Sequence, residues 1–396
     1  MLPWSEGSER RARFARLDPQ RVPSPCFVVD EVALEENLRL LAHVQAASGA
    51  RILLALKAFS MWSVAPLVRR YLPGVCASGA HEARLGREEF GGEVHTFCAA
   101  FDEEELREVL ELSNHVMFNS TSQWRKFRPM ALEAAKKKKH LRFGLRVNPE
   151  HSEGAVALYD PCGAYSRLGA PRASIEKSDM EGLTGLHFHT LCEQDLPPLE
   201  RTLAAFEQRF GDLLAGLEWV NFGGGHHITR PGYQVQSLID LVRAFSERRR
   251  VQVILEPGEA IAYHAGVLVA EVLDVFDNGM PIAVLDTSAT CHMPDVLEMP
   301  YRPSILGGGD PGAQAHTYRL GGQSCLAGDV IGDFSFAEPL VPGRRLVFED
   351  MAYYSMVKTT TFNGVPLPSI AIWNSSTDAL RVVRRFGYED FKGRLS

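Results

Sequence analysis

The sequence predicts an α/β chain built as a (β/α)8 TIM-like barrel with an appended antiparallel β domain. Eight short apolar runs recur between residues 51 and 256, and amphipathic segments of helical period separate most of them. Beyond residue 263 the helical period is lost, and strand-like runs alternate with Pro and Gly turns. Residues able to carry chemistry collect at the C-terminal ends of the barrel runs, the end at which barrel sites form.

Taken in order, residues 1–22 are polar and read as an arm, with Trp4, Glu6, Glu9, Arg10, Arg11 and Arg13 and no apolar signal-peptide core. Cys26–Asp30 reads as a strand, and Val32–Val44 as a helix with Leu34, Leu38 and Leu41 on one face. The barrel strands are then Ile52–Ala58, Gly74–Ser78, Glu93–Cys98, His115–Asn119, Leu141–Asn148, Leu183–Thr190, Leu217–Phe222 and Val251–Glu256. Helical segments fall at Ala80–Phe90, Asp102–Leu112, Ser122–Ala135, Pro197–Leu214 and Val235–Arg248. Asp102 followed by Glu105 is a capping-box pattern, and Ser122 suits a helix start. The long connection 149–182 has room for a short helix or a lid over a site. The second domain begins with Gly266–Phe276 and Pro281–Asp286, followed by His316–Leu320, Asp329–Phe336 and Arg345–Met351. The expected boundaries are 24–263 for the barrel, with 1–23 and 264–396 forming the arm and β domain.

Composition narrows the function classes. A chain of 396 residues with 45% hydrophobic content has material for two cores and is not generally disordered. No apolar run approaches the roughly 20 residues of a membrane helix. A net charge of −7 argues against nucleic acid and suits a cationic small molecule. Seven cysteines without a C-x-x-C pair point to a reducing cytoplasm. The run Lys136–Lys139 reads as a solvated helix end.

Within the barrel, Lys57 ends an apolar strand. Its ammonium either reaches water along a packed stem or sits in the dry mouth as an amine able to form a Schiff base. Ser78, Arg146, His189 and Glu256 fall at other strand ends. Gly223, Gly224 and Gly225 follow the seventh strand, where barrels commonly bind phosphate, and such a turn can aim N–H groups at an anion. Glu256 is placed to hold a pyridinium nitrogen protonated or, alternatively, to be a surface acid. His187 and His189 share a strand face, one suited to stacking on a planar ring and the other to the barrel core. The same pair, with Asp286 or Glu256, is the kernel of an alternative metal-dependent hydrolase. In the second domain Cys325 and Asp329 occupy a glycine-rich loop, and Tyr353 and Tyr354 precede Phe362-Asn363-Gly364.

In this order, Lys57, His189, Gly223–Gly225, Glu256-Pro-Gly, Cys325 to Asp329 and Tyr354 to Phe362-Asn-Gly resemble the fold-type III pyridoxal-phosphate decarboxylases. These are the ornithine and diaminopimelate group, whose barrel plus β domain is shared with alanine racemase. The resemblance runs from about residue 24 to the C-terminus. It implies that Lys57 carries pyridoxal 5'-phosphate as a Schiff base, that His189 stacks on its ring and that Glu256 pairs with its nitrogen. The glycine turn and Tyr354 would bind phosphate, with Ser78, Arg146 and Arg167 as further anion partners. It implies Cys325 or Lys57 as proton donor to Cα, and a homodimer in which the Cys325–Asp329 loop completes the partner's site.

Phe188 to Gln194, Asn221 to Arg230 and Glu256 to Ala260 are similar to the branch whose substrates are carboxylated polyamines such as carboxynorspermidine and carboxyspermidine. A long cationic substrate needs acids along its path. Asp329 is the first candidate, followed by Glu193, Asp286 and Glu259, with Asp333 structural. Glu259 stands where ornithine-type enzymes carry a phosphate-binding arginine, so some other group must meet that charge. A diaminopimelate- or lysine-like substrate and a non-catalytic cofactor carrier are the other readings. No metal is expected, and neither is a nucleic-acid or membrane partner.

Overall fold

The structure, a computed structural model, describes residues 12–154 and 156–396. Trp4, Glu6, Glu9, Arg10 and Arg11 of the polar arm lie outside the described residues. The chain divides into two compact units, Asn37–Ile261 and the residues up to Glu36 together with Ala262–Ser396.

The unit 37–261 is the barrel. Its strands Gly74–Ala77, Glu93–Phe97, His115–Phe118, Arg142–Asn148, Gly185–His187, Trp219–Asn221 and Gln252–Leu255 pair in parallel in chain order. The first strand closes the ring in two pieces. Arg51–Ile52 pairs with Gln252–Leu255, and Leu54–Ala55 pairs with Gly74–Ala77. Each strand is shorter than its apolar run, because the run continues into the turn that carries the site residue. Lys57 therefore lies two residues beyond the strand end at Ala55. The helices follow their sequence signals. Asp102 caps Glu103–Leu112 by accepting from Glu105 N–H at 2.8 Å, and Ser120, two residues earlier than Ser122, caps Thr121–Lys137.

The barrel interior is packed around Trp219. A Cβ on Gly144 or Gly185 would approach the Trp219 ring to 2.2 or 2.1 Å, so the indole occupies space that any other residue would fill. Against Trp219 lies His115, stacked on His95 with ring centroids 3.9 Å apart and planes 10° apart. Burial, with the charges of His95, Arg51 and Arg142 nearby, pushes the His115 pKa down to about 2. Unfolded His115 takes a proton below about pH 6.5, and the native ring does not. Stability from this group is therefore present above that pH and is lost progressively on acidification. His115→Phe is expected to flatten the fall in urea midpoint between pH 7 and pH 5. An unchanged slope in the variant would assign the acid lability elsewhere.

The second unit holds an eight-stranded sheet in the order Val330–Phe336, His316–Gly321, Pro281–Leu285, Gly266–Asp277, Cys26–Asp30, Ser369–Asn374 and Ala379–Arg384. Arg345–Glu349 pairs with Gly266–Asp277 beside this path. The structure corrects the reading of this region in three respects. Cys26–Asp30 belongs to this sheet rather than the barrel, antiparallel to Gly266–Val269 and parallel to Ser369–Trp373. The sheet is mixed, since Pro281–Leu285 and His316–Gly321 also pair in parallel. The strands Ser369–Asn374 and Ala379–Arg384 were not anticipated. A five-residue run buried on both faces specifies a strand but not its neighbours, which explains the first point.

A cleft at the barrel strand ends

The geometry of the barrel's C-terminal rim follows from strand ends that point the same way. Lys57, Ser78, Arg146, His189, Gly224 and Glu256 line one cavity with Cys76, Phe97, Met117 and His187. Six of the sequence candidates thus converge although 199 positions separate Lys57 from Glu256.

The protonation state of the pair at its centre can be read from hydrogen bonds. Gly224 N–H, which can only donate, lies 2.9 Å from His189 Nδ1. His189 Nδ1 is therefore an acceptor, and the ring's proton sits on Nε2, 3.4 Å from Lys57 Nζ. Burial, with Lys57 and Arg146 nearby, holds the His189 pKa well below its usual value. The Lys57 side chain reaches solvent through the cavity mouth, yet desolvation and the Arg146 charge depress its pKa. Both effects favour a neutral amine, which is what a nucleophilic lysine requires.

Glu256 lines the same cavity. It is 8% exposed, and burial raises its pKa. Asn221 Nδ2 donates to Glu256 Oε1 at 2.7 Å. His187 Nε2 lies 3.7 Å from the other oxygen, and both His187 ring nitrogens lack a hydrogen-bond partner. Burial holds the His187 pKa well down, so its contact with Glu256 is that of a neutral imidazole and not an ion pair. Arg146, 4% exposed, donates from Nη2 to His189 O at 3.1 Å and lies 4.6 Å over the Phe97 ring. Burial pulls its pKa down to about 10.

The three glycines are required by space. Gly223 and Gly225 have φ of +70° and +84°, and a Cβ on Gly224 or Gly225 would lie 2.2 Å from Glu256 O or 2.0 Å from Leu191 O. The first two amides of the turn are engaged internally, Gly223 N–H with Asn221 Oδ1 at 2.8 Å and Gly224 N–H with His189.

The acids proposed for a cationic substrate are placed differently from expectation. Glu259 turns to His227, with Oε2 and Nε2 3.0 Å apart, both side chains largely buried. Glu193 is exposed at φ +53°. In the other unit Asp329 is 4% exposed and accepts from Ser288 Oγ, Thr290 N–H and Ser324 N–H. Its carboxylate holds the loop of Cys325, whose own N–H donates to Asn363 Oδ1 at 2.9 Å. Asp286 accepts from Glu271 N–H and is 9% exposed. Asp329, Asp286 and Glu259 are thus engaged within the fold, because a buried carboxylate must be satisfied by nearby donors. Cys325 is exposed, and Tyr354 adopts φ +46°. Asp333 pairs with Arg319 at 2.8 Å, in line with the structural reading.

Sequence reasoning passed over Asn221, Cys76 and Phe97. Asn221 had a usable signal, a polar residue ending an apolar strand directly before the glycine turn.

The donor set fits a pyridine aldehyde phosphate: a depressed amine, a neutral imidazole and a buried carboxylate line one cavity with the guanidinium of Arg146. The unpartnered nitrogens of His187 are the kind of orphaned polar atoms that a bound group or water satisfies. Among the described residues no group of three or more His, Cys, Asp or Glu is arranged to hold a metal ion, and no helix is long and apolar enough to cross a membrane.

Comparison with known proteins gives the same direction. Residues 26–352 match the family model described as pyridoxal-dependent decarboxylase, C-terminal sheet domain. The carboxynorspermidine/carboxyspermidine decarboxylase of Campylobacter jejuni is 41% identical, over 95% of this chain and 99% of that protein. The carboxyaminopropylagmatine decarboxylase of a Synechocystis species is 43% identical, over 94% and 96%. The crystal structure of the Campylobacter jejuni carboxynorspermidine decarboxylase complexed with norspermidine superposes with a TM-score of 0.87 at 40% identity, covering 94% of this chain and 100% of that one.

Proposed function

Because the chain belongs to the pyridoxal-dependent decarboxylases, we propose that it decarboxylates a carboxylated polyamine, carboxynorspermidine or carboxyspermidine, releasing CO2 and the parent triamine. The observation that carries the reading is the pairing of Lys57, with its depressed pKa, with His189 and Glu256 in one cavity. Near-full-length identity of 41% to a decarboxylase of those two compounds supports the substrate.

The cofactor is pyridoxal phosphate, which supplies an aldehyde for amine exchange and a ring that accepts the electron pair freed when the Cα–carboxylate bond breaks. Lys57 would hold the cofactor through its neutral amine. His189, its Nδ1 tied to Gly224, presents a fixed ring face and keeps its proton on Nε2 toward Lys57. Glu256 would oppose the ring nitrogen, and the glycine turn, whose first two amides are engaged within the fold, would offer the phosphate its Gly225 end beside Ser78 and Arg146. Cys325, on a loop pinned by Asp329 and Asn363, delivers the proton to Cα from a second copy of the chain in a homodimer. Sedimentation of the purified protein as a monomer at working concentration would remove that last role. Gly224→Ala, whose Cβ would meet a main-chain oxygen at 2.2 Å, is expected to weaken cofactor binding by more than about tenfold. A fluorescence titration checks it.

A second substrate is favoured by the 43% identity to a carboxyaminopropylagmatine decarboxylase. The deciding experiment is CO2 release from carboxynorspermidine, carboxyspermidine, carboxyaminopropylagmatine and diaminopimelate side by side. The highest kcat/KM is expected on one of the first three. Preference for diaminopimelate would overturn the polyamine reading while leaving the decarboxylase intact.

A further inference from the structure

Asn221 is fully buried at the end of the strand Trp219–Asn221, and both ends of its amide are in use. Its Nδ2 donates to Glu256 Oε1 at 2.7 Å, and its Oδ1 accepts Gly223 N–H at 2.8 Å. The amide orientation is determined: a backbone N–H only donates, so Oδ1 faces Gly223 and Nδ2 faces Glu256. A main-chain bond reinforces the link, from Glu256 N–H to Gly223 O at 2.8 Å. One rigid side chain therefore touches the carboxylate that opposes the ring nitrogen and the first residue of the phosphate turn. At Gly223 the backbone sits at φ +70°, with the space for a Cβ filled by His189 at 2.7 Å, so the turn has little freedom of its own.

We propose that Asn221 is a positioning residue that couples the two ends of the cofactor site, so that the phosphate turn and the ring-facing carboxylate are set by the same amide. The proposal rests on the assignment of this cavity to pyridoxal phosphate. The amide is suited to the task because its two ends differ. An acceptor is needed for Gly223 and a donor for Glu256, and asparagine carries both at the right reach. Aspartate keeps the acceptor but sets a second carboxylate against Glu256. Alanine removes both bonds.

The test uses the full-length chain stripped of cofactor and two probes, inorganic phosphate and deoxypyridoxine, a ring analogue with neither phosphate nor aldehyde. Asn221→Asp is expected to weaken deoxypyridoxine by about tenfold and to leave phosphate within about twofold, since only the bond to a charged group is lost. Asn221→Ala is expected to weaken both probes by about tenfold. Glu256→Gln should weaken deoxypyridoxine alone. A loosened fold would shift the probes together in every variant, so this split pattern distinguishes coupling from general damage. Asn221→Asp matches asparagine in size and carries the test alone if the alanine variant does not fold. Equal loss of both probes in Asn221→Asp, or unchanged phosphate affinity in a folded Asn221→Ala, would overturn the coupling. Failure of the stripped wild-type chain to bind pyridoxal phosphate itself would overturn the assignment of the cavity.

Discussion

Lys57→Ala is expected to lower turnover by roughly 10²–10⁴-fold and to abolish covalent labelling of the chain by borohydride in the presence of cofactor. The effect should be large because Lys57 has two roles that no neighbour duplicates. In the proposed reaction its neutral amine would both hold the cofactor and exchange with the substrate amine. Its depressed pKa makes both possible near neutral pH, since an ammonium has no lone pair to offer. The sign of the pH dependence follows. Labelling of wild type should rise as pH increases through the lowered Lys57 pKa and level off below the pH at which an ordinary lysine deprotonates. A residual label in Lys57→Ala at wild-type level would assign the covalent site to another amine.

Glu256→Gln is the second large effect. Glutamine keeps the volume and can still accept from Asn221, but it holds no charge against a ring nitrogen. Turnover should fall by roughly 10²–10³-fold, the size seen when a preorganised electrostatic partner is removed. Stability should move the other way. Burial raises the Glu256 pKa, so the ionised form is disfavoured in the folded apoprotein. The variant is therefore expected to unfold at equal or higher urea at pH 8, an advantage that shrinks as Glu256 takes up its proton on acidification. Loss of stability together with activity would mean that Glu256 supports the fold rather than the reaction.

The two variants test a site most of which was legible from the chain. Lys57, His189, Gly223–Gly225 and Glu256 were identifiable because barrel strands are short apolar runs and the residue after each run faces one rim. The acids were less legible. Asp329 looked free on its glycine-rich loop, but besides Ser324 in the same loop it is held by Ser288 and Thr290, 41 and 39 residues away, which nothing local announces. Glu259 looked like a charge reversed beside a phosphate, whereas His227 takes it up at 3.0 Å. Both cases turn on which donor lies within reach of a carboxylate, and spacing does not carry that information.

By itself the sequence determined the eight-strand alternation, the change to a β unit and the roster of rim residues. All three depend on local period and on direction along a strand. Only the tertiary structure decided that Cys26–Asp30 joins the second sheet, that the first barrel strand closes the ring in two pieces, and that Asn221 joins the glycine turn to Glu256. Strand neighbours and side-chain hydrogen bonds are long-range pairings, set by packing among segments whose local patterns are alike.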